Sequence, residues 1–368
     1  MLSLLAMIIS YISTNLDVSV SGERDILKYW SAIESLLSGN SLNEVPEDVL
    51  FINVSYDKQL VERSDEWGSP VGNAAITDRK KLADLLRLIQ SAGNYRYVLL
   101  DVYFGNGYEA DEDSLLYDRI ASMDRLVIPR HKDDELASDK LECKAAYADY
   151  TTTLKEDNFT KFPLLTKNLE PSLPLHMYSD LTGRTVKKWG PLFVDKSSLS
   201  RRVVFPRMNV RETPEIPIYM NMGVDLLDNV DEYDWKQFFD NKIIVIGSFD
   251  DDDIHLTYAG FVPGSVINYN VYDSLVRGRH RIPALLILAY FLVFFAMSLL
   301  MLKGDSSGSQ SLAWVWAKLF VIYSVILTIV CIFVFIVCEQ AHDVFITSTF
   351  FSIVDTCHRW INKRKKNA

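Results

Sequence analysis

The sequence predicts an α/β fold class, in which a mainly parallel sheet with flanking helices forms an extracytoplasmic domain and a C-terminal block of α-helical transmembrane segments follows it. Two observations lead to this prediction. Short apolar runs rich in strand formers alternate with helical patterns up to residue 129, which is the order typical of parallel sheets. Two later runs, 283–302 and 319–338, are uncharged and long enough to cross about 30 Å of hydrocarbon as helices.

The polar region, 17–281, is long enough for one elaborated domain. Residues 23–37 carry apolar side chains at intervals of three and four, which predicts an amphipathic helix. The apolar run 49–55 predicts a strand that is buried on both faces and ends near Asp57. These two segments open the predicted domain.

A polar loop is predicted through 67–72, and it leads to a helix that Thr77 or Asp78 caps and that ends near Gly93. The next run, 97–104, is again strand-like. A strand, helix and strand of this length imply a parallel crossover.

The pattern repeats once and then weakens. A helix at 111–123 and a strand at 125–129 complete a βαβαβ unit. Prolines punctuate 130–240, which we interpret as an elaboration of the core with short strands. The remaining predicted elements are short strands at 202–205 and 216–220, a buried strand at 242–247 and a helix at 265–276.

The transmembrane block is predicted to span 282–357, with segments at 283–302, 319–338 and 343–357. The third segment is short and contains Asp355. The tail after it, 358–368, is strongly basic, and basic clusters beside apolar runs are retained in the cytoplasm. We therefore expect a cytoplasmic tail and an extracytoplasmic polar region.

The N-terminal segment, 1–16, is apolar but short, and it has neither a basic beginning nor a clear cleavage site. These features favour an uncleaved membrane anchor. A buried helix of the polar domain, or a start that lies downstream of the true one, are the alternatives. With the anchor, the chain has four crossings and both termini in the cytoplasm.

Composition limits the classes of partner. The net charge of the chain is −10 while the tail is basic, so the outer domain is acidic and nucleic acid is not expected to bind it. Only Cys143 of the four cysteines lies outside the membrane block, so no disulfide framework is predicted. The histidines lack metal-ligand spacing, and neither a phosphate-binding loop nor a GxSxG motif is present, so no cofactor is expected.

Three charged residues are the candidate ligand-binding site. Asp57 and Asp101 follow or end two predicted parallel strands, where open α/β sheets place ligands, and Arg79 begins the helix between them. The same three side chains can instead form a structural ion pair that fixes the strand and helix ends. The acidic run 250–253 has two interpretations as well, a calcium site or a solvated loop.

Six segments of the outer domain carry a resemblance to a known family: 49–57, 76–79, 98–104, 242–247, 257–264 and 266–270. Together they resemble the type-2 CHASE family, the extracellular sensory domain of bacterial adenylate cyclases, histidine kinases and related receptors. The resemblance implies a sensory protein of the bacterial inner membrane that detects an unknown small-molecule or environmental signal. Family members usually continue into an output region, and none follows residue 357, so we expect a homodimer or a separately encoded membrane or cytoplasmic output partner.

Two other classes of function remain open from the residues alone. A hydrolase can use Asp57 and Asp101 as a metal-binding or acid–base pair if both face one cleft. A structural subunit of a membrane complex needs no pocket at all. The leading expectation is a sensor without catalytic activity.

Overall fold

The computed structural model describes most of the chain. The predicted helix at 23–37 lies largely outside the described residues, as do 250–252 of the acidic run. The described residues are 1–16, 27–29, 32–33, 45–64, 67, 69–132, 135–150, 159–210, 219–249, 253–303, 312–338 and 345–367.

The strands within these residues belong to one large sheet and four small ones. In chain order they are β1 (Val49–Asn53), β2 (Lys58–Ser64), β3 (Pro70–Thr77), β4 (Tyr97–Asp101), β5 (Leu126–Arg130), β6 (Ala145–Tyr147), β7 (Phe162–Pro163), β8 (Val186–Trp189), β9 (Leu192–Asp195), β10 (Ser198–Ser200), β11 (Val203–Val204), β12 (Tyr219–Asn221), β13 (Ile243–Gly247), β14 (Ile254–Thr257) and β15 (Gly260–Pro263).

The large sheet has six strands in the order β12, β1, β13, β4, β5 and β6, and every neighbouring pair is parallel. The four predicted core strands occupy its centre, so that prediction is confirmed. β13 is buried along its whole length because it lies between β1 and β4, although it is the last of the six in the sequence. The edge strands β12 and β6 come from the proline-rich elaboration.

The helices alternate with these strands. The predicted cap is confirmed, because the Asp78 side chain accepts a hydrogen bond from the Lys81 backbone N–H and Gly93 ends the helix with a φ of 75°. The helices are α1 (Leu2–Thr14), α2 (Arg79–Ala92), α3 (Asp113–Ser122), α4 (Leu173–Thr182), α5 (Trp235–Phe238), α6 (Gly264–Val276), α7 (Ala284–Lys303), α8 (Leu312–Cys338) and α9 (Phe345–Asn367).

The domain has three layers. Alternate residues of β1 and β4 point to opposite faces, so Phe51 and Leu99 contribute to one core and Ile52 and Leu100 to the other. α4 and α6 cover the first face, and α2 and α3 cover the second. The continuous apolar runs in the sequence reflect this burial on both sides.

One sequence prediction is wrong. The segment predicted to be a polar loop, 67–72, is instead part of the antiparallel hairpin β2–β3, whose second strand begins at Pro70. Its side chains are mostly exposed, Leu60 among them, so backbone hydrogen bonds hold the pair and the sequence shows no buried pattern.

The terminal helices pack on one another, α1 against α7 and α9, and α8 against α9. Within the described residues, Ala284–Met301 is the helix long and apolar enough to cross a membrane, while Leu2–Thr14 and Lys318–Val334 are apolar but shorter. α9 continues without a break from Phe345 through the basic residues to Asn367.

Candidate functional site

A polar cleft lies at the carboxyl edge of the large sheet. Two adjoining cavities of about 360 Å³ each share Asp101, His131 and Asp253 in their walls. Asp101 is the last residue of β4, and His131 directly follows β5. Open parallel sheets place their ligand sites at this edge.

Asp101 is the most perturbed acid of the cleft. Its Oδ2 atom accepts a hydrogen bond of 2.9 Å from Asn268 Nδ2 on α6. Burial and the negative charge of Asp253 raise the pKa of Asp101 to about 7, against the opposing effects of Asn268, His131 and His255. The carboxyl group therefore gains or loses its proton close to neutral pH. It can donate a hydrogen bond to a ligand when protonated and accept one when ionised.

Asp253 and His255 form one wall of the cleft. Asp253 Oδ1 lies 3.0 Å from His255 Nε2, and the Tyr150 hydroxyl lies 2.9 Å from His255 Nδ1. A neutral imidazole satisfies both contacts when Nε2 carries the proton and Nδ1 accepts from the tyrosine. The Asp253 carboxylate lies directly against the backbone of residue 264, which is possible because that residue is glycine. A Cβ atom placed there would lie only 2.6 Å from Asp253 Oδ1.

His131 borders both cavities from the opposite side. Its Nδ1 atom lies 3.0 Å from Asp149 Oδ1, and the Lys132 backbone N–H donates to Asp149 Oδ2 at 3.1 Å. The cleft thus presents two histidines, each fixed by a carboxylate. In the described residues, no group of three or more His, Cys, Asp or Glu side chains is arranged to hold a metal ion.

Arg79 lies in the wall of the same cleft at the start of α2. Its side chain is 2% exposed, its Nε atom lies 3.2 Å from Asp113 Oδ1, and its guanidinium stacks over the Phe104 ring at 4.7 Å. Burial lowers the pKa of Arg79. Among the described residues, its Nη1 atom is buried and finds no hydrogen-bond acceptor.

Asp57 has a different position. Its carboxylate accepts from Lys81 Nζ at 2.6 Å and from the Gly223 backbone N–H at 2.8 Å, and its carbonyl accepts from the Asp78 N–H. These bonds join the end of β1 to α2 and to the turn at Met222–Leu226. Asp57 lines neither cavity, so the structure brings Arg79 and Asp101 together at the cleft and leaves Asp57 in an ion pair beside it.

Sequence reasoning missed the histidines, and it considered Asp253 only as part of the acidic run 250–253 and not as a neighbour of Asp101. They are far apart in the chain and have no ligand spacing, and only the order of the parallel strands brings them together. A signal was available for His131, because it follows a predicted strand just as Asp57 does.

A comparison with family models shows which family the chain belongs to. A family model described as the CHASE2 domain matches residues 30–302, well over half of the chain. This chain belongs to the CHASE2 domain family. Neither the curated proteins nor the solved structures gave a match. The family is one of sensory domains, which supports a sensory role at the coarse level.

A second polar cluster lies where the CHASE2 sheet domain joins α7, in the segment 277–282, which we call the junction. Asp195 Oδ2 accepts hydrogen bonds from His280 Nε2 at 3.0 Å and from Arg281 Nε at 2.7 Å. The Tyr178 hydroxyl donates to the same oxygen at 3.1 Å and accepts from Arg281 Nη2 at 2.6 Å. The CHASE2 match includes the junction and nearly all of α7.

The charges at the junction are fixed by these bonds. Burial acts to raise the pKa of Asp195, but the hydrogen bonds from His280 and Arg281 lower it. Burial lowers the pKa of His280 to about 4, so this histidine is neutral at pH 7. Main-chain bonds from Arg201 N–H to the His280 carbonyl and from Ile282 N–H to the Leu199 carbonyl attach the junction to the hairpin β9–β10.

Proposed function

We propose that this CHASE2 protein is a membrane-anchored sensor whose extracytoplasmic domain, 17–281, binds a small polar signal in the cleft. The observation that carries the proposal is the placement of Asp101, Arg79 and two histidines in one cavity system at the carboxyl edge of a parallel sheet. Perturbed acids in a cleft are typical of functional sites. The proposal assigns the cleft to recognition and not to catalysis.

Exposed apolar faces support insertion of the terminal helices in a membrane. α1, α7 and α8 all present large apolar side chains to their surroundings, and an apolar surface of this extent is unusual on a soluble protein. We propose crossings at 1–16, 283–302, 319–338 and 343–357 of a bacterial inner membrane. The basic tail, 358–368, and the N-terminus then lie in the cytoplasm.

The junction supports a route from the cleft to the membrane. α6 carries Asn268 at the cleft and ends at Val276, directly before the junction and α7. A change in the position of α6 on ligand binding would therefore be passed to α7. We propose that a second copy or a separately encoded output partner receives the change through contacts between transmembrane helices.

The other two classes receive less support. The hydrolase hypothesis requires Asp57 and Asp101 to face one cleft, and only Asp101 lines the cleft. A purely structural subunit needs no polar cavity with a perturbed acid.

Thermal unfolding of the full chain in lipid nanodiscs tests the proposal. The probes are a panel of amino acids, sugars, nucleosides and dicarboxylates. The test variant is Asp101→Asn. The control variant is Asp48→Asn, because Asp48 is an exposed acid directly before β1 that pairs with Arg96 outside the cleft. A bound probe at a hundred times its Kd adds about 2.7 kcal/mol, which raises Tm by several degrees. We expect at least one probe to do so in the native chain and in Asp48→Asn but not in Asp101→Asn. A shift that survives in Asp101→Asn would contradict the proposal.

A further inference from the structure

The two cavities of the cleft differ in the charges of their walls. Lys58 and Arg79 lie in the wall of the first cavity. The second cavity is lined by the carboxylates of Asp101, Asp149 and Asp253, and no lysine or arginine is among the described residues that line it. We call this second cavity the acidic cavity. Because a cleft lined by one sign of charge concentrates ligands of the opposite sign, it favours a cationic ligand.

Two acids of the acidic cavity lie close enough to repel each other. Asp101 Oδ2 accepts a hydrogen bond from Asn268 Nδ2, and this amide is neutral. Asp253 Oδ1 lies 3.0 Å from His255 Nε2. Burial and the negative charge of Asp253 raise the pKa of Asp101, so the two carboxyl groups disfavour each other's ionised form. A positively charged group beside both acids would remove this repulsion.

A buried acceptor lies in the same wall. Asn268 lines the acidic cavity and is 5% exposed, and its Oδ1 atom has no hydrogen-bond partner among the described residues. A buried acceptor without a donor is unfavourable, and a ligand that supplies the donor removes that cost. The wall therefore favours a ligand that both carries positive charge and donates hydrogen bonds.

A primary ammonium group has both properties. It is a compact positive charge with three N–H donors, and it needs no fixed coordination geometry. A metal ion fits less well, because among the described residues no three His, Cys, Asp or Glu side chains are arranged as metal ligands. Tyr150 and Phe162 complete the wall, and aromatic rings attract cations and also pack against the carbon skeleton of an amine.

We propose that the acidic cavity binds the ammonium group of a small primary amine, with Asp101, Asp253 and Asn268 as its hydrogen-bond acceptors. The inference rests on the proposed function of the cleft and names the chemical class of its signal. The volume of about 360 Å³ is near the lower end of the range for small-molecule pockets, which limits the ligand to a small amine.

Isothermal titration calorimetry of the full chain in lipid nanodiscs at pH 7, with empty nanodiscs as the blank, tests the proposal. The probes are benzylamine, butylamine and 1,4-diaminobutane, and each is compared with the alcohol in which hydroxyl groups replace the ammonium groups. We expect at least one amine to bind about tenfold more tightly than its alcohol, as for charge-assisted hydrogen bonds. Equal affinities, no binding of any amine, or displacement of a bound amine by calcium chloride would overturn the proposal.

Variants test whether the amine lies in the acidic cavity. Asp253→Asn keeps an oxygen for His255 but removes the charge, and it should weaken amine binding about tenfold. The control is Asp180→Asn, because Asp180 also pairs with a histidine, His176, and its side chain is 40% exposed against 34% for Asp253, yet it lines neither cavity. This control should retain the affinity of the native chain.

Asp149→Asn is a second test variant in case Asp253→Asn does not fold. The Asp149 side chain is 45% exposed, so its loss should weaken amine binding less, by about threefold. Unchanged affinity in both test variants, or an equal loss in Asp180→Asn, would contradict the assignment.

The result is distinguishable from failure of the proposed function. If a sugar, a nucleoside or a dicarboxylate binds in a manner that Asp101→Asn abolishes and no amine binds, the cleft is a ligand site but the amine assignment is wrong. If none of these compounds and no amine binds, both proposals fail.

Discussion

The cleft and the junction are built from the same kinds of side chain, yet the pKa of the buried acid is shifted in opposite directions at the two places. Asp195 at the junction accepts three side-chain hydrogen bonds, and its pKa is lowered. Asp101 in the cleft accepts one from Asn268 among the described residues, and its pKa is raised. The three bonds to Asp195 join the junction to the rest of the domain, whereas Asp101 has one such bond and lines a cavity that a ligand can enter.

The largest expected effect comes from breaking the junction. Asp195→Asn removes the charge that pairs with Arg281 and leaves one neutral acceptor oxygen in place of the carboxylate, so we expect a loss of about 3–5 kcal/mol in the free energy of unfolding. Asp48→Asn, which breaks an exposed pair with Arg96, should cost at most about 1 kcal/mol. Thermal unfolding in nanodiscs measures both. Equal effects would show that the junction is not held by its acid.

The cleft predicts a pH dependence of stability. The folded pKa of Asp101, about 7, is above its unfolded value, so the folded state binds the extra proton between these pH values. Its contribution to stability is therefore present at low pH and is lost as the pH rises towards 7, by about 1–3 kcal/mol. Comparing unfolding of the native chain and Asp101→Asn from pH 5 to pH 8 isolates this effect. An unchanged pH profile in the variant would be evidence against a protonated Asp101.

The buried His280 of the junction predicts the opposite dependence of stability on pH. The folded pKa of His280, about 4, is below its unfolded value near 6.5, so the unfolded state binds the extra proton. Stability from this group is full above about pH 6.5 and falls as the pH decreases towards 4, by about 1–3 kcal/mol. His280→Gln should remove that decrease. If His280→Gln lost stability at low pH as the native chain does, protonation of His280 would not be the cause of that loss.

The sequence predicted the core well for a physical reason. Residues of β1, β4, β5 and β13 are buried on both faces, so each strand appears as a continuous apolar run. The rule that ligands bind at strand ends identified Asp101 and also suggested Asp57. That rule gives the correct edge of the sheet, but it cannot show that Lys81 and Gly223 already bind the Asp57 carboxylate.

The remaining site residues depend on tertiary structure. His255 and Asp253 come from the chain between β13 and α6, and they reach Asp101 only because β13 lies next to β4. Hairpins such as β2–β3 are held by backbone bonds, with little apolar burial to mark them in the sequence.

The smallest effect is expected beside the cleft. Lys81 is half exposed, so Lys81→Met should cost about 1 kcal/mol through the loss of its pair with Asp57. Probe binding should be unchanged, because neither residue lines the cavities. The same thermal measurements with and without a bound probe test this. If Lys81→Met no longer bound the probe, Asp57 and Lys81 would have to be counted as part of the binding site.

The central claim is that the sheet domain lies outside the cytoplasm and is joined through the junction to a membrane block whose basic end lies inside. Labelling with an impermeant maleimide in intact bacterial cells tests it most directly. One variant keeps only Cys143, which is exposed in the sheet domain, and another carries Lys365→Cys as its single cysteine. We predict that Cys143 is modified in intact cells and that residue 365 reacts only after permeabilisation. Modification of residue 365 in intact cells, with Cys143 protected, would contradict the account.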